Sequence, residues 1–143
     1  MLFTGQHEHT IDAKKRLAIP AEFRSQWRTE VDGAAWFAVP WLTSAGRGVI
    51  RLYTERDFHS KAVERELSLT PDEDEAELQA TLFGLAARIP PDSAGRVRIP
   101  DEMLELVGMP SEVVLVGAGD RLEVRDREAW ANSRQDRLKS LPS

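Results

Sequence analysis

Short apolar runs broken by turn residues alternate with two longer stretches of helical periodicity, and this pattern predicts a chain of mixed strands and helices. His7 to Ile11 and Arg16 to Ile19 read as two short strands about a turn, and Pro20 to Trp27 as a short helix opened by proline. Ala35 to Val39 and Val49 to Tyr53 read as two more strands, separated by the glycine-containing loop Thr43 to Gly48. Thr54 predicts an N-cap with Asp57 as its capping-box partner, opening a helix to about Leu69 that turns Phe58, Ala62 and Arg65 to one side. Thr70-Pro71-Asp72-Glu73 predicts the next helix start, with Thr70 as cap, Pro71 at the first helical position and Glu73 closing the box. Leu78, Leu82 and Leu85, widened by Phe83 and Ala86, give that helix an apolar face, and Pro90-Pro91 ends it. Asp101 to Val107 reads as a short helix closing near Gly108 and Pro110. Val113 to Gly117 and Arg121 to Arg125 read as a hairpin about Ala118-Gly119-Asp120, with Asp126 capping a last helix that includes Trp130.

The pattern occurs twice. Ile11-Asp12-Ala13-Lys14-Lys15-Arg16-Leu17-Ala18-Ile19-Pro20 returns 80 positions later as Pro91-Asp92-Ser93-Ala94-Gly95-Arg96-Val97-Arg98-Ile99-Pro100. Ile50, Leu52, Thr54 and Phe58 return 72 positions later as Leu122, Val124, Asp126 and Trp130. An internal repeat therefore organises the chain, each half running strand, turn, strand, short helix, strand, strand, helix. The expected division is a repeat over residues 1–70, a linking helix over 71–87 and a second repeat over 88–143. At 143 residues the chain has the size of one compact domain, so the two halves are expected to share a core in an α+β fold.

Composition narrows the function. The balance of 41% hydrophobic and 30% charged residues is that of a globular chain, and no apolar run approaches the roughly 20 residues that cross a bilayer. Met1 to His7 lacks a basic region followed by an apolar stretch, so no secretory signal and no membrane partner are expected, and the protein reads as cytoplasmic. The absence of cysteine excludes disulfides and thiolate metal sites. A net charge of −5 argues against indiscriminate coating of nucleic acid, but Ile11 to Arg28 is locally +3, while acids gather at Asp72 to Glu75 and Glu77.

The chemistry is concentrated at the repeated turn. Each copy sets an Asp and an Arg on either side of a three-residue loop, followed by an apolar strand. Gly95 stands before Arg96, where a left-handed residue suits such a loop; Lys15 stands there in the first copy, so that turn is either strained or of another shape. Asp12 with Arg16 and Asp92 with Arg96 read in the simplest case as surface salt bridges able to pair bidentately. Their repetition, with Lys14, Lys15, Arg24 and Arg98 close by, suits contact with phosphates and guanine edges in a major groove. Elsewhere, His7 and His9 alternate on one strand face without a third metal ligand, and His59 has no evident partner. Trp27, Trp36, Trp41 and Trp130 read as core or subunit contacts. The chain carries no nucleophile arrangement, P-loop or G-x-G-x-x-G, which argues against an enzyme and leaves no small-molecule ligand or cofactor in evidence.

Thr10 to Asp12, Arg16 to Arg24, Asp92 to Pro100 and Val113 to Val124 together resemble the MraZ family of bacterial transcriptional regulators, over nearly the whole chain. The resemblance implies two AbrB-like swapped-hairpin repeats interlocked into one small barrel-like module with flanking helices. It also implies subunits assembled into a ring, and binding to double-stranded DNA at short direct repeats upstream of the division and cell-wall gene cluster, with a nucleoid-associated location. By position, Asp12, Arg16, Asp92 and Arg96 fall on the family's DNA-binding motifs, with Lys14 as an added phosphate contact. Lys15 departs from the family's usual glycine, and Arg125 from a position often aromatic. The alternative is a ring-forming adaptor whose Asp-Arg turns make subunit contacts and whose tryptophan-rich faces bind a protein. An antitoxin component would call for a longer toxin-binding tail than Arg134 to Ser143.

Overall fold

The computed structural model describes residues 1–65 and 67–142. Among these are eight strands and six α-helices: β1 (Gln6–Thr10), β2 (Arg16–Ala18), α1 (Ala21–Arg24), α2 (Thr29–Asp32), β3 (Trp36–Leu42), β4 (Gly48–Thr54), α3 (Glu55–Glu64), α4 (Glu73–Leu85), β5 (Ala87–Ile89), β6 (Arg96–Arg98), α5 (Asp101–Val107), β7 (Glu112–Gly117), β8 (Leu122–Asp126) and α6 (Arg127–Lys139). The α+β class holds.

Six strands form an antiparallel sheet in the order β1-β7-β8-β4-β3-β5, and β2 and β6 form a separate two-stranded ribbon. Exchanging β1 with β5, β2 with β6, β3 with β7 and β4 with β8 turns this order into its own reverse, so the sequence repeat becomes a pseudo-two-fold axis. Only β3 with β4 and β7 with β8 pair as neighbours in the chain. The other four ladders, β1–β7, β2–β6, β3–β5 and β4–β8, join a strand before residue 65 to one after residue 86.

No closed barrel is found among the described residues, which corrects the barrel-like closure implied by the resemblance. The cause is local. At the Asp turns the chain leaves the sheet, so β2 and β6 pair with each other as a second layer instead of bridging the edge strands β1 and β5. The core lies between the layers. Leu17 and Val97 face each other at the ribbon's centre, fully buried, against Phe3, Phe23, Trp36, Ile50, Leu52, Leu115 and Val124. The opposite face of the sheet carries Glu123, which is 3% exposed and ion-paired to Arg121, Arg125 and Arg51. Burial pushes the Glu123 carboxyl up, but hydrogen bonds from Arg125 and Arg121 and their charges outweigh it and hold the group below its ordinary value.

Thr54 accepts a hydrogen bond from the Asp57 N–H and Asp126 from the Ala129 N–H, so both predicted caps form. Gly108 closes α5 in the left-handed conformation, as expected of a helix C-terminus. Several helix boundaries differ. The first helix ends at Arg24 rather than Trp27, and α4 ends at Leu85, giving way to β5 before Pro90-Pro91 is reached. The helix from Thr54 ends at Glu64 rather than near Leu69, a stretch in which Glu66 lies outside the described residues. The cap of α4 is Asp72, whose Oδ1 accepts the Glu75 N–H at 2.8 Å; Thr70 and Pro71 precede it. A carboxylate at the cap combines the hydrogen bond with the attraction of the positive helix end, which a threonine lacks.

Candidate nucleic-acid interface

Because Leu17 and Val97 point into the core, strand alternation sends their neighbours Arg16, Ala18, Arg96 and Arg98 to the other face of the ribbon. In the antiparallel register Arg16 lies opposite Arg98, and Ala18 opposite Arg96. The ribbon therefore presents three guanidiniums on its outer surface, with an Asp-Arg turn at each end.

The two turns have the same construction. Asp12 Oδ1 accepts the backbone N–H groups of Lys14 and Arg16, both at 2.9 Å, and Oδ2 accepts Arg16 Nε–H at 2.8 Å. Asp92 does the same for Ala94, Arg96 and Arg96 Nε, each at 2.9 Å. The arginine backbone N–H, then its side chain and the loop N–H, hold both carboxyls below the ordinary value of 3.8. The pairing is not the bidentate fork expected from sequence, since each aspartate engages only the arginine's Nε and main chain. Among the described residues no hydrogen bond engages the Nη nitrogens of Arg16 or Arg96. Each guanidinium is thus fixed in direction with its outer edge free, the edge that donates two parallel bonds to a phosphate or to guanine.

The turns are also locked to each other. Ile99 N–H donates to the Lys15 carbonyl at 2.9 Å and Ile19 N–H to the Gly95 carbonyl at 3.3 Å, two bonds related by the pseudo-two-fold axis. Lys15 resolves the ambiguity at the first turn, because it takes the left-handed conformation (φ 64°) that Gly95 takes at the second (φ 78°). The shape is shared, and at Lys15 it carries the strain of a side chain at positive φ.

Arg24 lies over the second turn. Its Nε donates to the Ile19 carbonyl at 2.9 Å, and a Cβ placed on the buried Gly95 would stand 2.4 Å from its Cδ. Leu104 occupies the equivalent place, 80 residues on, beside the first turn. Grooves flank both turns. The first, about 480 Å³, is walled by Asp101, Leu104, Glu105 and Met109; the second, about 230 Å³, by Arg24, Trp27 and Trp36. Lys14, Lys15, Arg24 and Arg98 are exposed, so all eight residues singled out from the sequence lie on or beside the ribbon.

The remaining candidates fall elsewhere. His7 pairs with Glu22 at 3.2 Å and packs on Phe23, and the described residues contain no cluster of three His, Asp or Glu suited to a metal. His59 does have neighbours, the rings of Phe37 and Phe58. Trp36 is buried and Trp27 packs beside it, whereas Trp41 borders an apolar groove of about 400 Å³ with Leu42, Leu78, Leu85 and Leu106. Arg125, at the position expected to be aromatic, is bonded to Glu123 and stacked over Trp130. No helix among the described residues is long and apolar enough to cross a membrane.

A family profile described as "MraZ protein, putative antitoxin-like" matches residues 82–142. The transcriptional regulator MraZ of Coxiella burnetii (strain RSA 493 / Nine Mile phase I) is 32% identical over 139 residues, covering 96% of this chain and 88% of that protein. The regulator of the same name from Heliobacterium modesticaldum is 31% identical over 144 residues, 99% of this chain and 91% of its own. That of Mycoplasma capricolum is 25% identical over 139 residues, 97% and 98% respectively. With at least 31% identity to two of these regulators over 96% or more of its length, the chain belongs to the MraZ family.

Proposed function

We propose that the protein is a sequence-specific DNA-binding transcriptional regulator, using the paired turns of the β2–β6 ribbon as its contact surface. The observation that carries this reading is the twofold occurrence of an arginine held through Nε by an aspartate, with its Nη edge left to solvent. Arg16 and Arg96 are the base-reading or phosphate-clamping groups. Asp12 and Asp92 orient them, and Lys14, Lys15, Arg24 and Arg98 add phosphate contacts. The relatives' printed name, transcriptional regulator, supports the class of activity.

The finer reading comes from the family resemblance. Each half is an AbrB-like swapped-hairpin unit, which the exchange of strands across the pseudo-two-fold axis supports. Several subunits form a ring that reads short direct repeats upstream of the division and cell-wall genes, including the protein's own gene, in the cytoplasm at the nucleoid. Weak binding by each subunit then adds by avidity, which lets an acidic protein bind DNA through one basic rim. No catalysis and no cofactor enter this reading.

Fluorescence anisotropy with upstream DNA and a scrambled duplex, across a salt series, tests it. Binding that prefers the upstream duplex is expected, with Arg16→Ala and Arg96→Ala each flattening the salt slope by about 0.9 log unit for every phosphate that is no longer neutralised. Equal weak binding to both duplexes, unchanged in the variants, selects the second reading, a ring-forming adaptor. The exposed apolar groove at Trp41, Leu42, Leu78, Leu85 and Leu106 favours that reading.

A further inference from the structure

The spacing of Leu78, Leu82 and Leu85 predicts a face that packs, yet α4 buries none of its residues, and Leu78 and Leu85 stay 40% and 42% exposed. Facing them across a trough of about 400 Å³ are Trp41 and Leu42 at the end of β3 and Leu106 and Val107 at the end of α5. No charged side chain lines this trough among the described residues. At Trp41 and Leu82, which line both, it meets a smaller pocket of about 170 Å³ and opposite character. Arg51, Lys61 and Arg65 line the pocket beside the rings of Tyr53, Phe58 and Phe83, and among the described residues no acidic side chain does. The pocket lies on the face of the sheet away from the ribbon, since Arg51 and Tyr53 alternate along β4 with the core residues Ile50 and Leu52.

Charge at this end is not balanced. Arg51, Arg121, Arg125, Lys61 and Arg65 share three carboxylates, Glu123, Asp120 and Glu75, in their ion pairs. Arg51 is the least served of the five. Its Nε lies 3.6 Å from Glu123, beyond hydrogen-bond reach, and is buried without a partner. Its guanidinium stacks over the Trp41 ring, 4.6 Å from the centroid, where pocket and trough meet.

We propose that trough and pocket together are a binding site for a free, single-chain aliphatic carboxylate, with its chain between α4 and α5 and its head on Arg51 beside Lys61. The inference does not depend on the DNA-binding reading, because none of these residues belongs to the ribbon or its turns. A carboxylate suits the pocket because a guanidinium donates two parallel bonds to it. An alkyl chain suits the trough because each methylene that enters leaves water and covers exposed leucine. The space is that of a small-molecule site, roughly 300–1,000 Å³, with the mostly apolar lining and few convergent polar groups such sites share. The cations decide between occupants, since a purely apolar protein surface would cover the leucines and leave Arg51 unanswered.

Titration calorimetry of the full chain with decanoate, kept below its micellar concentration, tests the site. Saturable binding of one decanoate per chain is expected, and each two-carbon extension from hexanoate to decanoate should tighten it about tenfold. Decanol, with the same chain and no charge, should bind about tenfold more weakly, and decyltrimethylammonium should not bind. Arg51→Gln should abolish the preference for decanoate over decanol, which a general loosening of the fold would not do. Leu78→Glu, at an exposed position, should abolish binding of both. Decanoate that never saturates, or that keeps its preference over decanol in Arg51→Gln, overturns the proposal. So does a parent protein that ignores decanoate while Leu78→Glu lowers its molar mass in light scattering, a result that makes the trough a contact between copies of the chain.

Discussion

At the two turns a single position separates a strained loop from a relaxed one. Lys15 and Gly95 occupy equivalent left-handed sites, and a side chain there costs about 1 kcal/mol relative to glycine. Lys15→Gly is therefore expected to raise stability by up to about 1 kcal/mol in urea unfolding. Gly95→Ala should lower it by at least that amount, because its Cβ also displaces Arg24 from the Ile19 carbonyl. Equal effects of the same substitution at both sites would contradict the different roofs, Leu104 and Arg24. The aspartates add a pH dependence. Their folded carboxyls are held below 3.8, so the folded state binds fewer protons than the unfolded one; the stabilisation is complete above that value and disappears as pH falls below it. Carboxyl-detected NMR should follow Asp12 and Asp92 titrating below 3.8, and an Asp12→Asn protein should show a shallower loss of stability in acid. The residues of these turns were legible because the motif occurs twice. The shape taken by Lys15 was not, since sequence alone cannot tell a strained left-handed lysine from a different loop.

Among the elements, caps and apolar alternation were legible wherever one strong local signal stood alone, as at Thr54, Asp126 and Gly108. Where signals competed, geometry decided, as at Asp72 over Thr70. Helix α2 and strand β5 carried no such signal. The first is held by Asp32 accepting the Arg28 N–H at 2.8 Å, and the second is a three-residue edge strand defined by its pairing with β3. Glu123 was hidden for a related reason, since a lone acid between Leu122 and Val124 does not announce that Arg51, Arg121 and Arg125 surround it. Arg51 Nε is buried with no hydrogen-bond partner, so its compensation is the Glu123 charge at 3.6 Å. Glu123→Gln is expected to cost about 2 kcal/mol, because it leaves Arg51 and Arg125 without their acid while Arg121 keeps Asp120. Asp126→Ala should cost about 1 kcal/mol through removal of its cap. Urea midpoints of the two variants separate these sizes, and a Glu123→Gln protein as stable as the parent would show that the arginines find water or other partners instead.

On the scale of the whole molecule, the sequence repeat announced two halves but not how they join. That information lies in pairings between residues about 50 to 110 positions apart, which hydrophobic periodicity does not encode. Four of the six ladders cross between the halves, and β1 and β2 have no strand partner within their own half. Separated, each half would expose the buried face of the β2 or β6 strand and leave strand edges open. An isolated segment of residues 1–70 is therefore expected to fold only when a second half supplies the missing strands. That second half can be the 71–143 segment or, through the pseudo-two-fold axis, another copy of itself. Its folding then depends on concentration, as for any obligate pair. Circular dichroism of the 1–70 segment over a dilution series, followed by addition of the 71–143 segment, measures this directly. Unfolding on dilution and recovery on mixing fits the interlocked sheet, whereas a folded, dilution-independent monomer would mean that each half carries a sufficient core of its own. In the intact chain the two halves are linked covalently, which keeps their effective concentration high at any dilution. Fusion of the halves also frees each one to change its surface independently. Two identical halves would have to carry the same turn twice; one chain can place lysines at the first turn and Arg24 over the second while retaining a common core.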